Sequence, residues 1–133
     1  MSRSVTIPHQ QVMFDASQAG TIRGMLVAGD DGSAHGHLAI ATQGGAHRYR
    51  AVSGYTGTEP IVSIQLEEIR TDPGTVDLAS LEIYSREHTG AAQGPVEAEI
   101  ILNRLPDGVE IVRATVRLEV RDEPQHSPAA AAS

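Results

Sequence analysis

The chain has 133 residues, a formal net charge of −7, no cysteine, and a lysine-plus-arginine total of 10 that is entirely arginine. This excludes disulfides, zinc–thiolate sites, cysteine nucleophiles, Schiff-base and lysine-base chemistry and the lysine of a phosphate-binding P-loop. The acidic balance also argues against broad contact with nucleic-acid backbones, which takes several clustered cations.

The length suits one domain with a real apolar core. Aromatic residues are few, namely Phe14, Tyr49, Tyr55 and Tyr84, so a stacking platform for bases or sugars is not expected. Met1-Ser2-Arg3-Ser4-Val5 lacks the apolar run of a signal peptide. No stretch approaches the roughly 20 apolar residues of a membrane-spanning helix. The expectation is a cytoplasmic protein without membrane contact.

In chain order, residues 1–4 read as a flexible start. Val5 to Ala16 reads as one or two short strands around Pro8, with Val12 and Phe14 on one face; proline is easiest to place at a sheet edge or ahead of a strand. Gly20 to Gly29 is a second strand, ending at Asp30-Asp31-Gly32-Ser33, where an Asp-Gly pair signals a two-residue hairpin. Setting Asp30 opposite Ser33 pairs Met25 with Leu38 and Arg23 with Ile40. Gly44-Gly45 marks the next tight turn, and Gln43 opposite Ala46 pairs Ile40 with Tyr49. The core face of this meander is then Met25, Val27, Leu38, Ile40, Tyr49 and Ala51. Its other face mixes His35, His37, Arg48 and Arg50 with Ile22, Leu26 and Val52.

Ile61 to about Glu87 forms a further hairpin around Asp72-Pro73-Gly74-Thr75, whose Pro-Gly centre suits a type II turn. Leu66–Leu81 and Ile64–Ile83 share one face, while Ile69–Leu78 and Thr71–Val76 share the other. That change of face predicts a bulge or a coiled ribbon. The clearest element spans Gly94 to Arg121. Val96, Ala98, Ile100 and Leu102 alternate with polar residues, as do Val112, Ala114, Val116, Leu118 and Val120 after Leu105-Pro106-Asp107-Gly108-Val109. Leu105 opposite Val109 pairs Leu102 with Val112, Ile100 with Ala114 and Glu97 with Arg117, a register that a one-residue slip would scramble. Residues 122–133, with two prolines and no large apolar side chain, read as a disordered tail.

No segment carries an amphipathic helix of three turns. The fold class is all-β, a small antiparallel meander barrel of about seven or eight strands over residues 5–121, with a two-sheet sandwich as the alternative.

His35-Gly36-His37 puts two imidazoles on one side of a strand. Gly29, five residues before His35, makes the segment similar to the opening of the cupin metal motif, Gly-x5-His-x-His. Ala41 and Thr42 stand where cupins carry a glutamate, and the later Pro, Gly and His motif is missing. Two arginines beside the pair oppose a cation electrostatically. No metal or cofactor is therefore expected. His35, His37, Arg48 and Arg50 instead form a candidate patch for a carboxylate or other small anion, with Tyr49 and Tyr55 as further ligand-contact candidates and histidine as a proton carrier. Catalytic residues are unknown; no serine sits in a nucleophile elbow.

The function these observations favour is a barrel enclosing a small, mostly apolar molecule, either binding it alone or assisting a cofactor-free cyclisation or isomerisation. The alternative is a non-catalytic interaction or homo-oligomeric assembly protein, with outward Ile101 and Ile111 as the interface candidates. Expected partners are a small apolar or anionic molecule or a second copy, and neither nucleic acid nor membrane.

Overall fold

The computed structural model describes residues 2–14, 18–69, 77–86 and 94–123. Eight strands run in chain order: β1 (Ser2–Met13), β2 (Ala19–Ala28), β3 (Ala34–Thr42), β4 (Gly45–Thr56), β5 (Val62–Glu68), β6 (Leu78–Ser85), β7 (Gly94–Leu105) and β8 (Glu110–Glu123). Each pairs antiparallel with the next, and β1 pairs with β8, so the sheet closes into a meander barrel. Closure rather than a two-sheet sandwich pairs the first and last strands with each other and so limits free edges. No helix among the described residues is long and apolar enough to cross a membrane.

Alternation decides which side chains fill the lumen. Leu26, Leu38, Leu66, Leu81, Ile83, Ile100 and Leu102 point inward and are wholly shielded from solvent, as expected for eight strands, whose bore is just wide enough for side chains. The β7–β8 ladder has the register expected from sequence up to Leu102, which faces Val112, while Ile100 faces Ala114 and Glu97 faces Arg117. Next to the turn a bulge shifts it by one, so Asn103 faces Glu110, and Arg104 N–H, not the expected Leu105, meets the Val109 carbonyl at 2.8 Å. The Glu97 carboxylate, however, pairs with Arg86, at 3.3 Å, rather than with Arg117.

The β2–β3 hairpin corrects the sequence reading. Met25 lies opposite His37 and Arg23 opposite Ala39, one residue away from the expected pairs. The cause is the loop, which has five residues, not two. Gly29 N–H donates to Ser33 O at 2.9 Å, and the Asp31 carboxylate accepts both the Ser33 amide at 3.1 Å and its hydroxyl at 2.5 Å. A slip of one exchanges faces. Ile22 and Leu26 therefore line the core, while Met25, expected inside, is 55% exposed, and Val27 is only half-buried.

The β3–β4 and β5–β6 ladders differ from expectation by two residues, pairing Leu38 with Tyr49 and Leu66 with Ala79. An even shift leaves each side chain on its expected face. The anticipated change of face in the β5–β6 ribbon is absent from its ladder; its turn and the Thr71–Val76 pair lie outside the described residues.

The domain edges also move. Residues 2–4, expected to be flexible, belong to β1, and Asp122 and Glu123, expected in the tail, belong to β8. Residues 124–133 lie outside the described residues. Arg3 accounts for this extension. Its side chain turns inward at one rim, where Nε reaches Asp122 Oδ1 at 2.6 Å and the second fork reaches Asp122 Oδ2 at 3.0 Å. The remaining guanidinium nitrogen donates to the carbonyls of Gly57 and Ile61 at 2.8 and 2.6 Å. Among the described residues it is the single charged residue buried in the fold.

Candidate functional site

His35 and His37 of β3 and Arg48 and Arg50 of β4 lie on the outside of the barrel. His37 sits opposite Met25 on one side and Arg50 on the other, and Ala39 lies opposite Arg48. His35, His37, Arg48 and Arg50 are exposed. They do share one face, as expected. That face does not line the lumen, and the apparent mixing with Ile22 and Leu26 arose from the one-residue slip. Arg50 is committed to Glu67 at 3.0 Å. His47 points to the inner side, at the opposite rim from Arg3, and meets Glu68 at 2.7 Å.

The two tyrosines separate from the patch. Tyr49 projects inward and is 5% exposed. Burial, reinforced by the Glu68 and Asp77 carboxylates, pushes its hydroxyl up to about 12. In the unfolded chain the phenol ionises near pH 10, so between about pH 10 and 12 the folded state holds the extra proton. Stability then falls as pH rises through that window. Tyr49→Phe is expected to flatten this alkaline slope in urea titrations across pH 9–12, with little change at pH 7. Tyr55 is exposed on the outside, beside Ser53, Gln65 and Ser80 in a neutral groove of about 540 Å³, away from the arginines.

A concave surface adjoins the patch. A groove of about 550 Å³ crosses β1 to β4, bordered by His9, Arg23, Met25, His37, Arg48 and Ile69. Its floor is backbone at Gly24 and Gly36. A side chain at Gly24 would come within 2.7 Å of the His37 carbonyl, and one at Gly36 would overlap the Met25 carbonyl. His9 also borders a second groove, of about 340 Å³, which runs to Arg117 on β8 past Pro8, Pro95 and Glu119. The bulge between Ile7 and Gln10 places His9 at this junction.

Charge pairing singles out this surface. Arg3, Arg50, Arg86, Arg104, Arg113 and Arg121 each hold a carboxylate. Arg23, Arg48 and Arg117 hold none among the described residues, and all three border the grooves that meet at His9. No family model, curated protein or solved structure matches the chain. The site therefore has to be read from its own geometry.

Arg23, Arg117 and His9 were not singled out from sequence. The slipped register placed Arg23 toward the core. Arg117 was assigned to Glu97, and only closure of β1 on β8 brings His9 to Arg117. The one available signal was an excess of arginines over carboxylates on the outward positions of β2 to β4. Among the described residues no three histidine, aspartate or glutamate side chains gather in a metal-holding cluster. Of the interface candidates, Ile101 is half-buried opposite Arg113, and Ile111 is 46% exposed near the β7–β8 turn.

Proposed function

We propose that this barrel is a non-catalytic binding module that takes an anionic group, carried on a partly apolar partner, in the outer groove around His9. The observation that carries this reading is the convergence of Arg23, Arg48 and Arg117, the arginines without a carboxylate partner among the described residues, on the two grooves that adjoin at His9, in a chain whose net charge is −7. Arginine presents planar forked donors matched to carboxylates. Exposed Met25 and Ile69 on the same rim offer apolar contact to the rest of the partner. The aliphatic filling of the lumen weighs against a molecule held inside. It also weighs against cyclisation or isomerisation there, since the inward side chains are almost all hydrocarbon.

Calorimetric titration with citrate at low ionic strength, using its three carboxylates as the probe, tests the reading. Saturable binding is expected, weakened at least tenfold in an Arg23→Ser/Arg48→Ser double variant, because two forked charge contacts at an exposed site together supply about 1.4 kcal/mol. Arg104→Ser, which removes a cation already paired with Asp107, serves as the control and is expected to leave affinity unchanged. Equal affinities for wild type and the double variant would rule the groove out.

A further inference from the structure

The barrel is closed unevenly where its ends meet. Strand pairing between β1 and β8 runs only from Ser2↔Glu123 to Thr6↔Glu119. Beyond that point β1 continues with β2 as far as Met13, and β8 continues with β7 back to Glu110. Two strand edges therefore face a slot on the outside, above a core that stays sealed by Val112, Ala114 and Val116.

Gln10 spans the slot at one rung. Its side-chain amide donates to the Arg117 carbonyl at 2.7 Å and accepts the Arg117 amide N–H at 2.9 Å. This is the two-bond pattern that a strand residue makes with its neighbour. It shows that the Arg117 backbone groups point across the slot, and alternation aims those of Thr115 and Arg113 the same way. No strand partner faces them among the described residues. An unpaired row of this kind is a template for an added strand.

We infer that the slot accepts an extended acidic segment of a partner protein, added as a strand along β8 at Arg113 and Thr115, beside the Arg117 side chain. The inference rests on the anionic-groove reading, since it assigns the chemistry of the partner to the same surface. Arg117 and His9 supply uncompensated basic side chains at the slot; Glu119 also borders it and is drawn to Arg121 at 3.8 Å. Side chains of the added strand alternate between Arg117 outside and the sealed core inside. The matching segment thus alternates carboxylates with small residues. A second copy of this chain is a poor occupant. Antiparallel self-pairing centred on Thr115 sets Arg113 against Arg117, and like charges directly opposite destabilise a ladder.

The probe is an acetylated heptapeptide of alternating glutamate and alanine, titrated into the full chain and followed by amide hydrogen exchange. Binding is expected to slow exchange at Arg113 and Thr115 at least tenfold. Arg117→Glu is expected to weaken binding at least tenfold. So is N-methylation of the peptide, which preserves its charge and removes its donors. If the methylated peptide binds as well as the parent, or the peptide binds without protecting Arg113 and Thr115, strand addition is overturned and the citrate site stands. Citrate binding without peptide binding has the same meaning, whereas loss of both removes the groove reading as well. Protection of the two amides in a peptide-free dimer makes a second copy the occupant and also overturns the inference.

Discussion

Replacing Arg3 with alanine is expected to cost about 3 kcal/mol of folding stability, because three acceptors lose their partner together. The Asp122 carboxylate would be left at the rim with its two charge-assisted bonds gone, and the Gly57 and Ile61 carbonyls would lose their shared donor. Truncating one member of a shielded pair strands the other, and the penalty exceeds the 0–1 kcal/mol of an exposed pair such as Arg86–Glu97. Arg3→Lys keeps the charge but not the fork, since one ammonium cannot reach the carboxylate and both carbonyls in the same geometry. It should fall between wild type and alanine. Urea denaturation at pH 7 reads the difference as a lower midpoint at an unchanged slope. An Arg3→Ala midpoint within error of wild type would mean that the rim relaxes to admit water.

Gly36→Ala is expected to cost at least as much. Gly36 has φ +119, a conformation open to glycine and strained for other residues. A methyl there also overlaps the Met25 carbonyl and approaches the Leu26 Cα to 2.9 Å, and both are backbone atoms of the paired strand. Relief demands separating β2 from β3, so the loss should exceed about 3 kcal/mol or prevent folding. Gly32→Ala calibrates the result. Gly32 has φ +85 in the β2–β3 loop with open space around it, so it isolates the conformational cost, about 1 kcal/mol. Thermal melts of the two variants separate the effects. Equal losses would show that no close approach exists at Gly36.

Those glycines illustrate how far local pattern carries an inference. The β7–β8 hairpin was legible from Val96 to Leu102 because two long alternating runs flank Pro106-Asp107-Gly108, so register and faces agree there, and only the bulge next to the turn escaped. The β3–β4 and β5–β6 pairings missed by two residues, yet their faces held, since alternation is insensitive to an even error. At Asp30-Asp31-Gly32-Ser33 the same turn signal misled. Asp31 uses its carboxylate to widen the loop, and an odd slip inverted the expected faces of β2 while β3 kept its own. That inversion merged inward Ile22 and Leu26 with outward His35 and His37 into one mixed face.

The candidate site was legible only in part. His37 and Arg48 keep their assigned face because they belong to neighbouring strands. Arg117 reaches His9 through contact between strands 108 residues apart in sequence, and no turn motif encodes that approach. Arg3 was equally hidden, since its partners lie on β8 and on the β4–β5 connection.

The meeting of Ser2 with Glu123 has a practical consequence for handling the protein. Both described ends leave from the same rim, while the arginine groove extends toward the opposite one, where Ala46 and His47 lie near the start of β4. A reporter fused at either end would stand clear of the groove. A short linker joining the ends would permit circular permutation, with new ends opened at exposed Gln43 and Gly44.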